Sequence, residues 1–200
     1  MAMAYNTPLL QKYYPDKCAQ YFAAALRAFN GFETHHPDTN FWKDAGWYDP
    51  YTYGLHTWSD EMLIAAANLL EITNDPKYLD WINAELPADM HAMKRWGWNL
   101  EGPWLHAYFS LSRSTNSWLS QEIKDSAHAT ILAWADEIET YAHPYGVPYV
   151  PSAYYTVGWH FAGSLWGFPL MMAYGLSQDP NYKNQLIQIW DHVLGANPSS

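Results

Sequence analysis

The feature that most constrains this chain is a junction that occurs twice. Residues 69–79 read Leu-Leu-Glu-Ile-Thr-Asn-Asp-Pro-Lys-Tyr-Leu, and residues 174–183 read Tyr-Gly-Leu-Ser-Gln-Asp-Pro-Asn-Tyr-Lys. Both set Asp-Pro-x-Tyr between two apolar runs of helical period. An aspartate there suits the N-cap of the following helix. Proline suits the first helical position, where its missing N–H is not needed. Leu111 to Leu119, with Ser-Thr-Asn-Ser-Trp-Leu, occupies an equivalent junction. Three tight helix–helix junctions on one chain imply stacked helical hairpins. An open solenoid and a closed double ring of helices both satisfy that pattern.

The periodicity between the junctions is helical almost throughout. It predicts helices over Asp16–Phe32, with Gly31 loosening the end, and from Ser59 or Asp60 as cap to about Ile72. The second of these carries Leu63, Ala66, Ala67 and Leu70 on one face. Further helices are predicted over Pro103–Leu111, Ser117–Tyr141, Phe161–Leu176 and Asn181–Val193. Leu119, Ile123, Ile131, Trp134 and Ile138 form the apolar stripe of the longest. The intervening segments, His35–Thr57, Met93–Gly102 and Tyr141–Trp159, are rich in Gly, Pro, His and aromatic residues. They read as functional loops on a helical scaffold. No strand-rich segment or linker interrupts the 200 residues, so a single all-α domain spanning 1–200 is expected.

Composition narrows the function. Hydrophobic residues make up 49% and charged residues 15%, which excludes a disordered chain. The net charge of -10 argues against a nucleic-acid partner, and no apolar run is long enough to cross a membrane. No signal peptide is visible at the N-terminus. Cys18 is the one cysteine, so no internal disulfide forms. The 12 Trp and 16 Tyr suit a carbohydrate groove, because flat aromatic faces stack on sugar rings and carry a polar tip. A large helical core accounts for most of them equally well. The nine His include the pair His35-His36, but no His-Glu-x-x-His or comparable zinc spacing occurs. No phosphate-binding glycine loop and no Gly-x-Ser-x-Gly elbow is present.

Several segments, in order, resemble glycoside hydrolase family 9, the helical cellulase family. His56-Thr57-Trp58-Ser59-Asp60-Glu61-Met62, followed by an Ala- and Leu-rich helix and Thr73-Asn74-Asp75-Pro76-Lys77-Tyr78-Leu79, is similar to the stretch around that family's Asp-Glu pair. Asn74 stands where glycine is usual, and asparagine also tolerates the left-handed conformation. Gly146-Val147-Pro148-Tyr149 precedes Trp159 as the family's Val-Pro-Tyr segment precedes a Trp helix. Asp191-His192-Val193-Leu194-Gly195-Ala196-Asn197-Pro198 resembles its Asp-Tyr-x-Leu-Gly-x-Asn-Pro motif. The resemblance covers about Tyr14 to Pro198. It implies an (α/α)6 barrel, incomplete here, of which the chain supplies seven or eight helices.

The resemblance also implies site residues. Trp98 and Trp159 match positions whose Trp stacks on glucosyl units, and Tyr53 lies near another substrate contact. His56 and His160 flank the expected groove and offer hydrogen bonds to sugar hydroxyls. Asp60 and Glu61 match a pair that helps bind a structural calcium, with backbone oxygens just upstream, because hard cations want several oxygens. Capping of a helix start explains the same pair without a metal. Core packing remains the alternative for each Trp, and an ordinary loop residue for each His. Asp44-Ala45-Gly46 echoes the family's catalytic Asp-Ala-Gly-Asp, but Trp47 replaces the second Asp and Asp44 lies too close to Asp60, so it reads as a turn residue. Gly163 stands where many cellulases carry a substrate-contacting Arg, so related amino-sugar or mixed-linkage glycans compete with cellulose as substrate.

The first functional expectation is therefore part of a β-glycan hydrolase acting by inversion, with no catalytic residue assigned here. The segments bearing the family's catalytic Asp and Glu are expected to be missing from this chain. No cofactor is needed for the chemistry, and the family implies an extracellular or periplasmic location. The rivals are a non-catalytic helical carbohydrate-binding or scaffold protein and another helical-toroid enzyme, such as a lyase or epimerase.

Overall fold

The computed structural model describes residues 8–35, 59–91, 101–142 and 159–191. Among the described residues no strand occurs and eight α-helices follow one another. They are α1 (Pro8–Tyr13), α2 (Pro15–His35), α3 (Ser59–Thr73), α4 (Lys77–Glu85), α5 (Glu101–Ser112), α6 (Gln121–Ala142), α7 (Trp159–Ser177) and α8 (Pro180–Asp191). The chain divides into two compact units. The first holds α1 to α4, residues 101–110 of α5 and the turn at 114–119; the second holds residues 87–91, residues 111–113 and α6 to α8.

In the first unit the predicted stripe of α3, Leu63, Ala66, Ala67 and Leu70, is buried throughout. Helices α3 and α4 form a hairpin, and α2 lies against α4 through aromatic edges. The Phe29 ring meets Tyr78 at 5.1 Å and Trp81 at 5.8 Å between centroids, both edge-on. Such contacts add about 0.5–1.5 kcal/mol per pair beyond area burial. Glu33 ties the same helices together. It accepts the Trp81 indole N–H at 2.9 Å and pairs with Lys77 at 3.3 Å, at the half-exposed rim of the contact. The Lys77 pKa is raised: partial burial works against the charge, and Glu33 outweighs it.

In the second unit Ala127, Ile131, Trp134 and Ile138 form the buried row of α6, as the periodicity predicts. Helices α7 and α8 form a second hairpin, with Leu170, Ala173, Tyr182 and Ile189 buried. The Tyr182 hydroxyl donates to Asp136 of α6 at 2.6 Å, linking α8 to α6.

The repeated junction is the same device in both units. Thr73 and Ser177 end their helices by donating their hydroxyls to the Leu69 and Ala173 carbonyls, at 2.7 and 2.8 Å. Each hydroxyl oxygen then accepts the aspartate N–H two residues on, from Asp75 at 3.2 Å and Asp179 at 3.1 Å. Each aspartate in turn accepts the N–H two residues beyond itself, from Lys77 at 3.0 Å and Asn181 at 2.9 Å. At α8, which begins at Pro180, that is an N-cap bond from Asp179 with proline as the first helical residue, as the sequence predicts. Helix α4 begins one residue later than predicted, at Lys77 with Pro76 as its N-cap, so the Asp75 bond there closes the turn that leads into the helix. Between the two sits a residue in the left-handed region, Asn74 at φ 55° or Gln178 at φ 59°. The tyrosine after each proline, Tyr78 or Tyr182, is buried.

The two left-handed residues differ in their side-chain bonds, and that gives a prediction. Left-handed backbone costs a non-glycine residue about 1–2 kcal/mol, and glycine avoids the cost at some loss of chain entropy. Gln178→Gly gives up only exposed bonds to the Tyr174 and Gly175 carbonyls, so it should stabilise by about 0.5–1 kcal/mol. Asn74→Gly gives up the bond that Asn74 Oδ1 accepts from Asn116, so the gain should vanish or reverse. Urea unfolding of the two variants beside the wild type checks the contrast.

Several boundaries differ from expectation. Helix α2 continues through Gly31 to His35; Gly31 meets open space and costs only its propensity, about 1 kcal/mol. Helix α6 begins at Gln121 instead of Ser117. Asn116 Oδ1 captures the Trp118 N–H at 2.8 Å in a turn, and Ser120 then caps the helix by accepting the Ile123 N–H at 3.3 Å. Ser59 and Asp60 both stand inside α3 rather than before it. Helix α1 was not expected.

Candidate functional site

Helices α3 and α5 run side by side in the same direction. Asn68 donates to Ser110 at 3.2 Å, Glu71 meets residues 114–116, and Asn116 reaches Leu70 and Asn74, so position advances together on both. Counting back along both helices brings their first turns to the same end of the first unit. The two Gly- and aromatic-rich segments, His35–Thr57 and Met93–Gly102, are the ones that lead into those first turns.

The opposite end is closed by a carboxylate clasp. Glu71 accepts from the Ser114 hydroxyl at 2.6 Å, from the Thr115 hydroxyl, and from the Thr115 and Asn116 amides at 3.2 Å each. Burial works to raise the Glu71 pKa, but the hydrogen bonds from Ser114, Thr115 and Asn116 outweigh it and hold it below the usual carboxylate value. This carboxylate is ionised and fully used at neutral pH, which makes it a structural anchor and not a proton donor. A folded pKa below the unfolded one stabilises fully above the unfolded value and loses that contribution as pH falls through the folded value. The stability gap between wild type and Glu71→Gln should therefore be widest above about pH 4.5 and narrow below it. Urea midpoints measured from neutral to acidic pH test this; a constant gap would refute it.

The expected site residues fall unevenly. Trp98, Tyr53 and His56 lie outside the described residues, as do Asp44 and the upstream Thr57. Trp159 is the first residue of α7, in the second unit, and His160 is the next. Asp60 and Glu61 are the second and third residues of α3, where carboxylates favour the helix dipole. Glu61 is exposed. Among the described residues no three His, Cys, Asp or Glu gather into a group able to hold a metal. A calcium ion at Asp60 and Glu61 would need further oxygens from outside them.

Aromatic residues in α5 belong to the core. Trp104 and Tyr108 are buried, with ring centroids 5.9 Å apart. His106 is half-buried, and burial lowers its pKa, so it is neutral near pH 7. The clasp residues Glu71 and Asn116 were not foreseen from sequence.

The helices and capped hairpin turns define an all-α protein of the helical-hairpin class. The sequence profile of glycosyl hydrolase family 9 matches residues 1–200, and the chain belongs to that family. Its fold is similar to that of the Zn-binding triple mutant of GH family 9 endoglucanase J30, with a TM-score of 0.70 and 20% identity, over 98% of this chain and 35% of that one. The chain thus spans about a third of the length of that structure's chain. No curated protein matches. The all-α architecture agrees with the (α/α)6 barrel-like fold expected for the family. Among the described residues no helix is long and apolar enough to cross a membrane.

Proposed function

We propose that this chain is the substrate-shaping part of an inverting β-glycan hydrolase, working with a catalytic Asp base and Glu acid carried outside these residues. The observation that carries the reading is the family match over residues 1–200. The common end shared by the starts of α3 and α5 supports it, because the loops with Tyr53, His56 and Trp98 lead into those helices. Trp98 and Trp159 stack on sugar rings, and His56 and Tyr53 hydrogen-bond or flank them. The ligand is a β-1,4-linked glucan or a related oligosaccharide, and the location is extracellular or periplasmic.

Stacking contributes on the order of 1 kcal/mol per ring, so Trp98→Ala and Trp159→Ala should each weaken binding of cello- or chito-oligosaccharides about fivefold. Isothermal titration of wild type and both variants tests this. Equal affinity in all three would end the stacking assignment, and no binding by the wild type would end the reading. Asp60 and Glu61 hold a calcium ion with carbonyl oxygens near His56 and Thr57, pinning a loop beside the groove. Binding to the folded state alone would raise the melting temperature with calcium concentration. A melting curve unchanged between calcium and chelator would refute the ion.

A further inference from the structure

Helix α7 runs unbroken from Trp159 to Ser177 with Pro169 inside it. A proline in a helix interior offers no N–H to the carbonyl four residues back, and its ring clashes with that carbonyl. In α7 that carbonyl belongs to Leu165. The helix must break or bend at such a point, and α7 does not break. Sharp bends at proline exceed about 20°. Proline is also the least favourable residue for a helix interior. The chain does not need it for reversal, because the turn comes later, at Gln178 and Asp179.

The half of α7 after the proline is fixed. Leu170, Met172 and Ala173 are buried, and the Ser177 hydroxyl closes the last turn on the Ala173 carbonyl at 2.8 Å. Just before the proline α7 lies close against α8, where a Cβ added at Gly167 would lie 2.9 Å from Leu186 Cδ1. The bend is therefore expressed in the half that starts at Trp159. From Trp159 to Pro169 the helix is about 15 Å long. A bend of about 20° over that lever displaces its first residue by about 5 Å. Stacked rings sit at centroid separations of about 4.5–7 Å, so such a displacement makes or destroys a stacking contact.

We propose that Pro169 is a positioning residue for sugar binding: the bend it imposes on α7 sets where Trp159 stands. The inference rests on the proposed stacking role of Trp159. A residue that costs the helix local stability is thereby kept for the direction in which it points the helix start.

Isothermal titration of the 200-residue chain with cello- and chito-oligosaccharides tests this. Pro169→Ala restores the N–H and straightens α7, so affinity should fall about fivefold, as for Trp159→Ala. Its melting temperature should be no lower than that of the wild type, because alanine suits a helix interior better. Trp159→Ala with Pro169→Ala should bind no more weakly than Trp159→Ala alone, because the proline acts through that ring. Pro180→Ala, at the first position of α8 where proline imposes no bend, should leave affinity unchanged. Spin labels read the bend directly, with one on His160→Cys and the other on Asp191→Cys or on Thr140→Cys. At least one of the two distances should shift by about 5 Å on Pro169→Ala. Buried Cys18 stays unlabelled in the folded chain. Two unchanged distances would overturn the proposal, as would a double variant weaker than Trp159→Ala. So would a melting temperature that falls with the affinity, the mark of a purely structural proline. A wild type that binds neither sugar would end the proposed function and this inference together. Equal binding by wild type and Pro169→Ala would end this inference alone.

Discussion

Asn116→Asp is expected to lower stability by about 3 kcal/mol, although it changes only an amide nitrogen into an oxygen. Asn116 is buried at 7% exposure, and both ends of its side-chain amide and its backbone N–H are used. Its Nδ2 donates to the Leu70 carbonyl and to Asn74 Oδ1, both at 3.0 Å. Its Oδ1 accepts the Trp118 N–H at 2.8 Å, and its own N–H donates to Glu71 at 3.2 Å. One side chain thus joins the end of α3, the α3–α4 junction and the turn before α6. An aspartate would point an oxygen at two acceptors and add a second carboxylate beside Glu71. Its pKa would rise, so the defect should deepen as pH climbs above the unfolded carboxylate range and ease below it. The corresponding fall in melting temperature is roughly 6–12 °C for a chain of this size. Asn116→Ala removes the amide without adding the clash and should cost less, about 1–2 kcal/mol. Thermal unfolding of both variants at two pH values decides the matter; an Asn116→Asp protein as stable as Asn116→Ala would refute the bonding pattern.

The contrast between junction and clasp shows what sequence carried and what it did not. Thr73-Asn74-Asp75-Pro76 is legible because the bonds made by Thr73 and Asp75 span two to four residues, and each residue type is there for a local reason. Asp75 accepts the Lys77 N–H at the entry to α4, Pro76 needs no N–H, and Asn74 tolerates positive φ. Glu71 is illegible because its partners lie 43 to 45 residues away, and no periodicity ties position 71 to positions 114–116. Boundaries failed where one local preference beat another. Gly31 did not stop α2, because tertiary packing of Phe29 and Phe32 holds the helix past it. Ser117 did not start α6, because the Asn116 side chain took the Trp118 N–H first. The candidate groove was legible only through family motifs. Of its residues, Trp159, Asp60 and Glu61 fall on described helices, and Trp98, Tyr53 and His56 lie outside them.

Purified 200-residue chain is expected to leave soluble cellulose derivatives and chito-oligosaccharides uncleaved, beside a family 9 endoglucanase control that cleaves the former. Inverting hydrolysis needs an ionised base and a protonated acid across the scissile bond, their carboxyls roughly 6.5–9.5 Å apart. The described carboxylates with defined partners are committed elsewhere. Glu71 is held ionised by the clasp. Glu33 binds Trp81 and Lys77, Asp136 accepts from Tyr182, Asp75 accepts the Lys77 N–H at the entry to α4, and Asp179 caps α8. Asp60 and Glu61 are consecutive residues in the first turn of α3, the pair assigned above to calcium. Asp44 is followed by Ala45-Gly46-Trp47, so the paired aspartate that would make it a base is replaced by an indole. Binding without turnover is the combination that the substrate-shaping role predicts, and it separates that role from a complete enzyme. Turnover near the control rate would sink it. Asp44, Asp49, Asp60 and Glu101 would then be the carboxylates to replace one at a time by Asn or Gln. A loss of several orders of magnitude at two of them would identify the pair.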